Sequence, residues 1–73
     1  MRRRHELPSE RVTADLRRRI RDGEWHPGDQ LPSVSDLAEH YGVSRATIQK
    51  VVHTLVGEGL LAVRHGWGTF VPE

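Results

Sequence analysis

Hydrogen-bond donors are concentrated in one short stretch of the sequence. Between Ser44 and His53 the chain carries an arginine, a threonine, a glutamine and a lysine, and no acidic residue occurs between Ser44 and Leu55. Arginine can pair bidentately with guanine and glutamine with adenine, while hydroxyl and ammonium groups donate to phosphate oxygens. These residue types therefore suit a partner that carries phosphates and bases. For any one of them alone, an ordinary solvated helix surface is the alternative interpretation.

Apolar residues at helical spacing predict that a helix over 45–58 carries these donors and ends before Gly59. The predicted buried stripe consists of Ile48, Val52 and Leu55, with Val51 and Val56 on its flanks. Ser44 can cap this helix, and Val43 before the cap can pack against Ile48. The exposed positions are Ala46, Lys50, His53 and Gly57 opposite the stripe, with Arg45 and Gln49 on one flank and Thr47 on the other.

Two earlier helices are predicted to support it. The first has an apolar stripe that recurs every four residues, made of Val12, Leu16 and Ile20. Pro8 suits its first turn and Gly23 its C-terminal stop. The second begins at about residue 34, where Ser33 and Asp36 form a near capping box. It ends at Gly42 and buries Leu37, Ala38 and Tyr41. Because only a short break precedes the next helix, these two helices must cross sharply.

A β-hairpin is predicted after Gly59, with a strand, a turn and a returning strand over 60–64, 65–68 and 69–71. Phe70 and one of Leu60 or Leu61 should pack against the helices, since an isolated hairpin is only marginally stable in water. Residues 24–32 indicate a turn with at most a brief strand. This order predicts a mainly α winged helix-turn-helix fold of three helices and a two- or three-stranded wing sheet. Such a fold can place its third helix in the DNA major groove.

Length and composition limit the other possibilities. The chain has 73 residues, no cysteine and a formal charge of +1, which allows one small domain without disulfides or thiolate metal sites. No apolar run approaches the ~18 residues of a membrane span, and no signal-peptide pattern follows Met1. The charge is +3 over residues 1–5, −3 over 6–43 and +1 over 44–73. We expect a basic, flexible arm over 1–7 and a single domain over 8–73.

The chain also carries a long, ordered series of motifs. They are Leu31-Pro32-Ser33, Asp36-Leu37-Ala38, Tyr41-Gly42-Val43-Ser44-Arg45, Thr47-Ile48, Leu55, Glu58-Gly59-Leu60-Leu61 and Gly66-Trp67-Gly68-Thr69-Phe70-Val71. Together they closely resemble the DNA-binding domain of GntR-family bacterial transcription regulators. The resemblance extends upstream to Leu16, Ile20, Gly23 and Pro27-Gly28 and covers about residues 9–71. It implies that Arg45 reads bases, that Ser44 and Thr47 hold phosphates, and that His65 and Gly66 form the wing contact.

Three positions depart from the family's usual pattern. Ser35 stands where members often carry a basic residue that touches DNA, and Gln49 where many have arginine. Both changes predict weaker electrostatic affinity and a different base preference. Trp67 occupies a position where a small or basic residue is common, which departs from the usual phosphate contact at the wing tip.

The residues and the resemblance together predict an interface with double-stranded DNA. The third helix enters the major groove, where the expected base contacts are Arg45, Gln49 and Thr47, and the Thr47 hydroxyl can also donate to a phosphate. The expected phosphate contacts are Ser33, Ser35, Ser44, Lys50 and Arg64. The wing over 64–69 reaches the minor groove through His65, Gly66 and Trp67. Packing along the hairpin is the alternative for Trp67, and Trp25 is expected to pack in the core or its turn.

We expect no enzyme, cofactor or metal site here, because the five histidines lack metal-binding spacing and the serines lack a nucleophile elbow. The predicted function is sequence-specific DNA binding by a cytoplasmic bacterial regulator, a repressor, with two domains on an inverted repeat. The domains should dimerise weakly without DNA. A small-molecule effector would need a C-terminal domain outside this chain, which can be an excised domain or a stand-alone short regulator. The alternative is a winged-helix protein–protein interaction module that does not bind DNA.

Overall fold

Three helices precede a two-stranded sheet in the computed structural model, which describes residues 8–73. The elements are α1 (Pro8–Arg21), α2 (Val34–Tyr41), α3 (Arg45–Gly57), β1 (Ala62–Arg64) and β2 (Gly68–Phe70). The two strands pair antiparallel, with Val63 opposite Thr69. This is the predicted winged helix-turn-helix fold, with the hairpin as its wing. The predicted basic arm over 1–7 lies outside the described residues.

The core lies where α1 and α2 both pack against α3. Its most completely buried side chains, each at most 2% exposed, are Leu16, Leu37, Ile48, Val51, Leu55 and Leu61. Burying one side chain of this kind is worth roughly 1.5–3 kcal/mol, so these few residues contribute much of the stability. The prediction that Val51 and Val56 both lie on the flanks of the buried stripe of α3 was half wrong. Val51 is fully buried as a member of the core cluster, whereas Val56 is 36% exposed.

Serine caps start α2 and α3 as predicted. The Ser33 hydroxyl accepts the Asp36 N–H at 3.0 Å, and the Ser44 hydroxyl accepts the Thr47 N–H at 3.1 Å. Between them, Gly42 ends α2 in the left-handed conformation with φ +70°, which costs glycine little. The reversal there lets α3 begin only a few residues later, so the two helices cross sharply and their N-termini remain close.

The strand predicted over 60–64 is shorter than expected. α3 ends at Gly57, one residue before the predicted end, and the Leu60 N–H then donates to the Leu55 carbonyl at 3.0 Å. Leu60 is therefore committed to closing the C-terminus of α3, and Leu61 is 2% exposed in the core. For these reasons β1 begins only at Ala62.

The wing docks on the helices through Leu61 and Val71, which both join the core cluster. The prediction that Phe70 makes this contact was wrong. Side chains alternate between the two faces of a strand, so Phe70 lies on the same face as Arg64, whose guanidinium carbon is 5.5 Å from the ring centroid. Val71, the next residue along, points toward the helices instead.

A brief third segment extends the wing sheet, as predicted for residues 24–32. The Leu31 N–H donates to the Thr69 carbonyl at 2.8 Å, and the Val71 N–H donates to the Asp29 carbonyl at 2.9 Å. A single β-bridge forms between them at Gln30. The wing is thus attached to the chain that leads into α2 as well as to the end of α3.

Candidate nucleic-acid interface

The capped N-termini of α2 and α3 open onto one shared groove. It has a volume of ≈ 520 Å³ and is lined by Ser33, Val34, Ser35, Arg45, Ala46 and Gln49. The N-terminus of a helix carries partial positive charge and free N–H groups, which favour anions. Four of the predicted contact residues therefore share one surface, namely Ser33, Ser35, Arg45 and Gln49.

The Arg45 side chain is exposed and is held from one side. Its Nη1 donates to the Ser35 hydroxyl at 3.2 Å, so a residue of α2 orients a guanidinium of α3. The Ser35 hydroxyl accepts this bond and keeps its own proton for a further acceptor. The remaining guanidinium donors can still make the bidentate pair that guanine recognition requires.

A second groove lies between α3 and the wing. Its lining is Val34, Gln49, Val52, His53, Val56, Val63 and Thr69. Gln49 borders both grooves, so its amide can be reached from either side. Val63 is 58% exposed here, so this groove combines apolar side chains with the polar side chains of Gln49, His53 and Thr69.

Thr47 and Lys50 lie apart from Arg45. The Thr47 hydroxyl oxygen is 3.0 Å from that of Ser44 and is half-buried. Lys50 is exposed and borders a groove on the α1 side of α3, together with Ser9, Glu10, Thr13, Arg17 and Thr54. The predicted phosphate contacts thus fall on both flanks of α3, whereas Arg45 and Gln49 share one.

The three predicted wing contacts, His65, Gly66 and Trp67, are exposed, and so is the predicted phosphate contact Arg64. Gly66 has φ +82°, a turn conformation that residues with a Cβ rarely adopt. Trp67 is 75% exposed, so the alternative that it packs along the hairpin was wrong. The indole is presented to the outside at the wing tip.

Several acidic side chains outside these grooves are matched with arginines of α1. The pairs are Arg17 with Glu58, Arg18 with Asp15 and Arg19 with Glu24. Hydrogen bonds from Arg19 and Arg17 lower the pKa of Glu24 and of Glu58, which favours the charged form of both carboxylates. Three of the ten acidic residues are in this way paired within the scaffold, while the exposed face of α3 carries no acidic residue before Glu58.

The junction of α1 and α2 is built around Tyr41. Its hydroxyl donates to the Asp15 carboxylate at 2.7 Å and accepts from Arg19 at 2.8 Å. The Tyr41 hydrogen bond, followed by one from Arg18, lowers the pKa of Asp15, and burial raises the pKa of Tyr41. The Trp25 ring, 4.8 Å from the Arg19 guanidinium, packs on the same arginine as expected for a core or turn residue. Sequence reasoning missed this network, because no local motif links residues so far apart.

Neither a metal-binding cluster nor a membrane-spanning helix occurs in the described part of the chain. Among residues 8–73 no group of three or more histidine, cysteine, aspartate or glutamate side chains could hold a metal ion. None of the three helices is long and apolar enough to cross a bilayer.

Comparison with known proteins gives consistent matches over the whole domain. The chain is 41% identical over 64 residues to the histidine utilization repressor of Klebsiella aerogenes, covering 88% of this chain and 27% of that protein. It is 41% identical over 62 residues to the HTH-type transcriptional repressor NagR of Bacillus subtilis (strain 168), covering 85% and 26%. The chain thus spans about a quarter of the length of these relatives.

Solved structures share the fold closely. The AraR DNA-binding domain, crystallised in complex with operator ORE1, superposes with a TM-score of 0.87 at 34% identity, covering 92% of this chain and 82% of that one. The GntR protein of Streptococcus agalactiae gives a TM-score of 0.80 at 34% identity, covering 89% and 32%. The family model described as bacterial regulatory proteins, gntR family, matches residues 8–71. The chain therefore belongs to the gntR family of bacterial regulatory proteins.

Proposed function

We propose that this chain is a sequence-specific, double-stranded DNA-binding domain of a bacterial transcription regulator that acts as a repressor. The observation that carries the proposal is the exposed, acid-free face of α3. Its capped N-terminus presents Arg45 beside the capped N-terminus of α2. Two relatives that are 41% identical to this chain support the regulatory role, since both are named repressors. The AraR domain of the same fold was crystallised with its operator.

In the proposed complex α3 lies in the major groove. Arg45 and Gln49 read base edges, and Thr47 makes a third contact near the helix start. Phosphates on both sides of the groove are contacted by Ser33 at the N-cap of α2, Ser35 within α2, Ser44, Lys50 and Arg64. Phosphate contacts fix the register of the protein on the duplex, and base contacts carry the sequence information.

The wing is proposed to reach the adjacent minor groove through His65, Gly66 and Trp67. Two domains bind an inverted repeat, and they associate weakly without DNA. Residues 1–7 are proposed to be a basic arm beside the domain over 8–73. We further propose a cytoplasmic location and no catalytic role for the domain. Any small-molecule effector would bind a domain outside this chain.

One observation favours a second candidate function, docking to another protein. Val56 and Val63 are 36% and 58% exposed beside the groove between α3 and the wing. Exposed apolar surface of this kind can mark a protein interface. The absence of acidic residues from the exposed face of α3 argues against protein docking, because binding to another protein does not require a face without acidic side chains.

Salt-dependent binding to duplex DNA separates the two functions. With four to six phosphate contacts per domain, log K should fall against log salt with a slope of about −4 to −5 for each domain. Fluorescence anisotropy with a duplex recovered from a random library measures this slope. No binding, or binding that does not depend on salt, would favour the protein-docking alternative.

A further inference from the structure

The wing tip is tied down by a side chain that lies outside the wing. The Gln30 amide nitrogen donates to the Trp67 carbonyl oxygen at 2.7 Å, across 37 positions of sequence. The same residue forms the β-bridge to Phe70 that extends the wing sheet. The segment at Gln30 thus holds β2 through the backbones of its neighbours Asp29 and Leu31, and Gln30 itself holds the turn at the wing tip through its side chain.

The fit between Gln30 and the turn depends on Gly68. A Cβ atom added at Gly68 would lie 2.5 Å from the Gln30 amide nitrogen, and the glycine has φ +127°. The side chain therefore lies directly over the backbone of the turn. Within the turn itself, the Trp67 N–H donates to the Arg64 carbonyl at 2.8 Å, so Gln30 supplies the restraint from outside it.

Gln30 also lies just before the start of α2 in the sequence. The next residue, Leu31, is 4% exposed in the core, and Ser33 two positions later is the N-cap of α2. A short, anchored segment therefore joins the wing tip to the start of α2. Any movement of the tip relative to α3 must stretch or break the bond to Gln30.

We infer that Gln30 is a positioning residue that sets the wing tip relative to α3. This inference rests on the proposed function and adds a residue to it. Gln30 acts through the turn at Trp67, and it is not itself required to touch DNA. It lies in none of the sequence features from which DNA contacts were predicted, since its contact with the wing is long-range.

The test uses the 73-residue chain and a duplex selected with the wild-type protein. Four proteins are compared at one salt concentration: wild type, Gln30→Ala, Trp67→Ala and the double variant. Gln30→Ala should weaken binding by about three- to tenfold, the range expected for one hydrogen bond. The double variant should lose less affinity than the sum of the two single losses, because Gln30→Ala displaces the same wing tip that carries the Trp67 side chain. Gln30→Glu keeps the side-chain shape but cannot donate when ionised, so it should weaken binding at least as much as alanine.

A second readout separates positioning from simple loss of stability. Replacing guanine by inosine at the wing site alters only the minor-groove amino group, and the wild type should respond to that change. Gln30→Ala should lose the response while keeping its preference for the major-groove bases. Additive losses in the double variant, or a retained response to inosine, would overturn the inference alone. If the wild-type chain binds no duplex in the selection, the proposed function is overturned, and this inference with it.

Discussion

Replacing Arg45 by alanine tests the assignment of base reading to α3. The side chain is exposed, and its one hydrogen bond recorded in the structure goes to the Ser35 hydroxyl at 3.2 Å. Surface substitutions of this kind usually change stability by less than about 0.5 kcal/mol, so the variant should fold. A bidentate pair with guanine discriminates by about 1–3 kcal/mol, which corresponds to roughly 5- to 150-fold in affinity. The loss should fall on the selected duplex far more than on a scrambled one.

Lys50→Ala is the matched control, since it removes one positive charge from the same helix on the side facing α1. It should weaken binding to both duplexes by the same factor and reduce the salt slope by about 0.9. Fluorescence anisotropy with the two duplexes at several salt concentrations gives the ratios for both variants. If Arg45→Ala weakened the two duplexes equally, as the lysine variant should, the base-reading role of Arg45 would be refuted.

Three further predictions follow from the same structure. Ser35→Ala should lower the ratio of specific to non-specific affinity by about 2- to 10-fold, because the Arg45 side chain is then less ordered before binding and loses more conformational entropy when it binds. Ser35→Thr keeps a hydroxyl and should restore the ratio. A uniform loss of affinity for both duplexes would indicate that Ser35 makes a phosphate contact alone. Leu55→Ala should cost about 2–5 kcal/mol of unfolding free energy in a denaturant titration, since the side chain is fully buried, and a loss below 1 kcal/mol would contradict the described core. The pKa of Asp15 is lowered in the fold, chiefly by its hydrogen bond from Tyr41, so its contribution to stability is present above the unfolded pKa of about 4 and lost as pH falls through the folded pKa. Tyr41→Phe should therefore raise the pKa of Asp15 in an NMR titration, and an unchanged pKa would show that the hydrogen bond has no such effect.

The helices were predictable because their information is local. Apolar residues spaced four apart marked the buried stripe of α1 from Val12 to Ile20, and serines at 33 and 44 marked two caps, all of which are present. The turn at Gly42 followed from the short break between two helical patterns. Each of these features depends on residues within about one helical turn of each other.

Features that depend on distant residues were missed or misplaced. Whether Val51 or Val56 is buried depends on which side of α3 faces the core, which helical periodicity alone does not give. Phe70 was expected to pack against the helices because an isolated hairpin is only marginally stable, but strand alternation places it on the outer face with Arg64. The bond from Gln30 to the wing tip spans 37 positions, and no motif around Gln30 marks it.

The same reasoning applies to the interface. The N-terminal donors of α3 were found because they are contiguous, and the structure brings Ser33 and Ser35 of α2 to the same groove as Arg45. Lys50 was expected on the same exposed face, yet it borders a different groove beside α1. The sequence could therefore identify the donors, but only the packing of α1 and α2 decides which of them can act together.

Amide chemical shifts measured during titration with the selected duplex test the central claim most directly. If α3 enters the major groove and the wing the minor groove, the largest changes should fall on residues 33–35, 44–50 and 64–68. The junction around Tyr41 and Asp15 should change little and serves as an internal control. Large shifts confined to that junction, with the exposed face of α3 unaffected, would contradict the account.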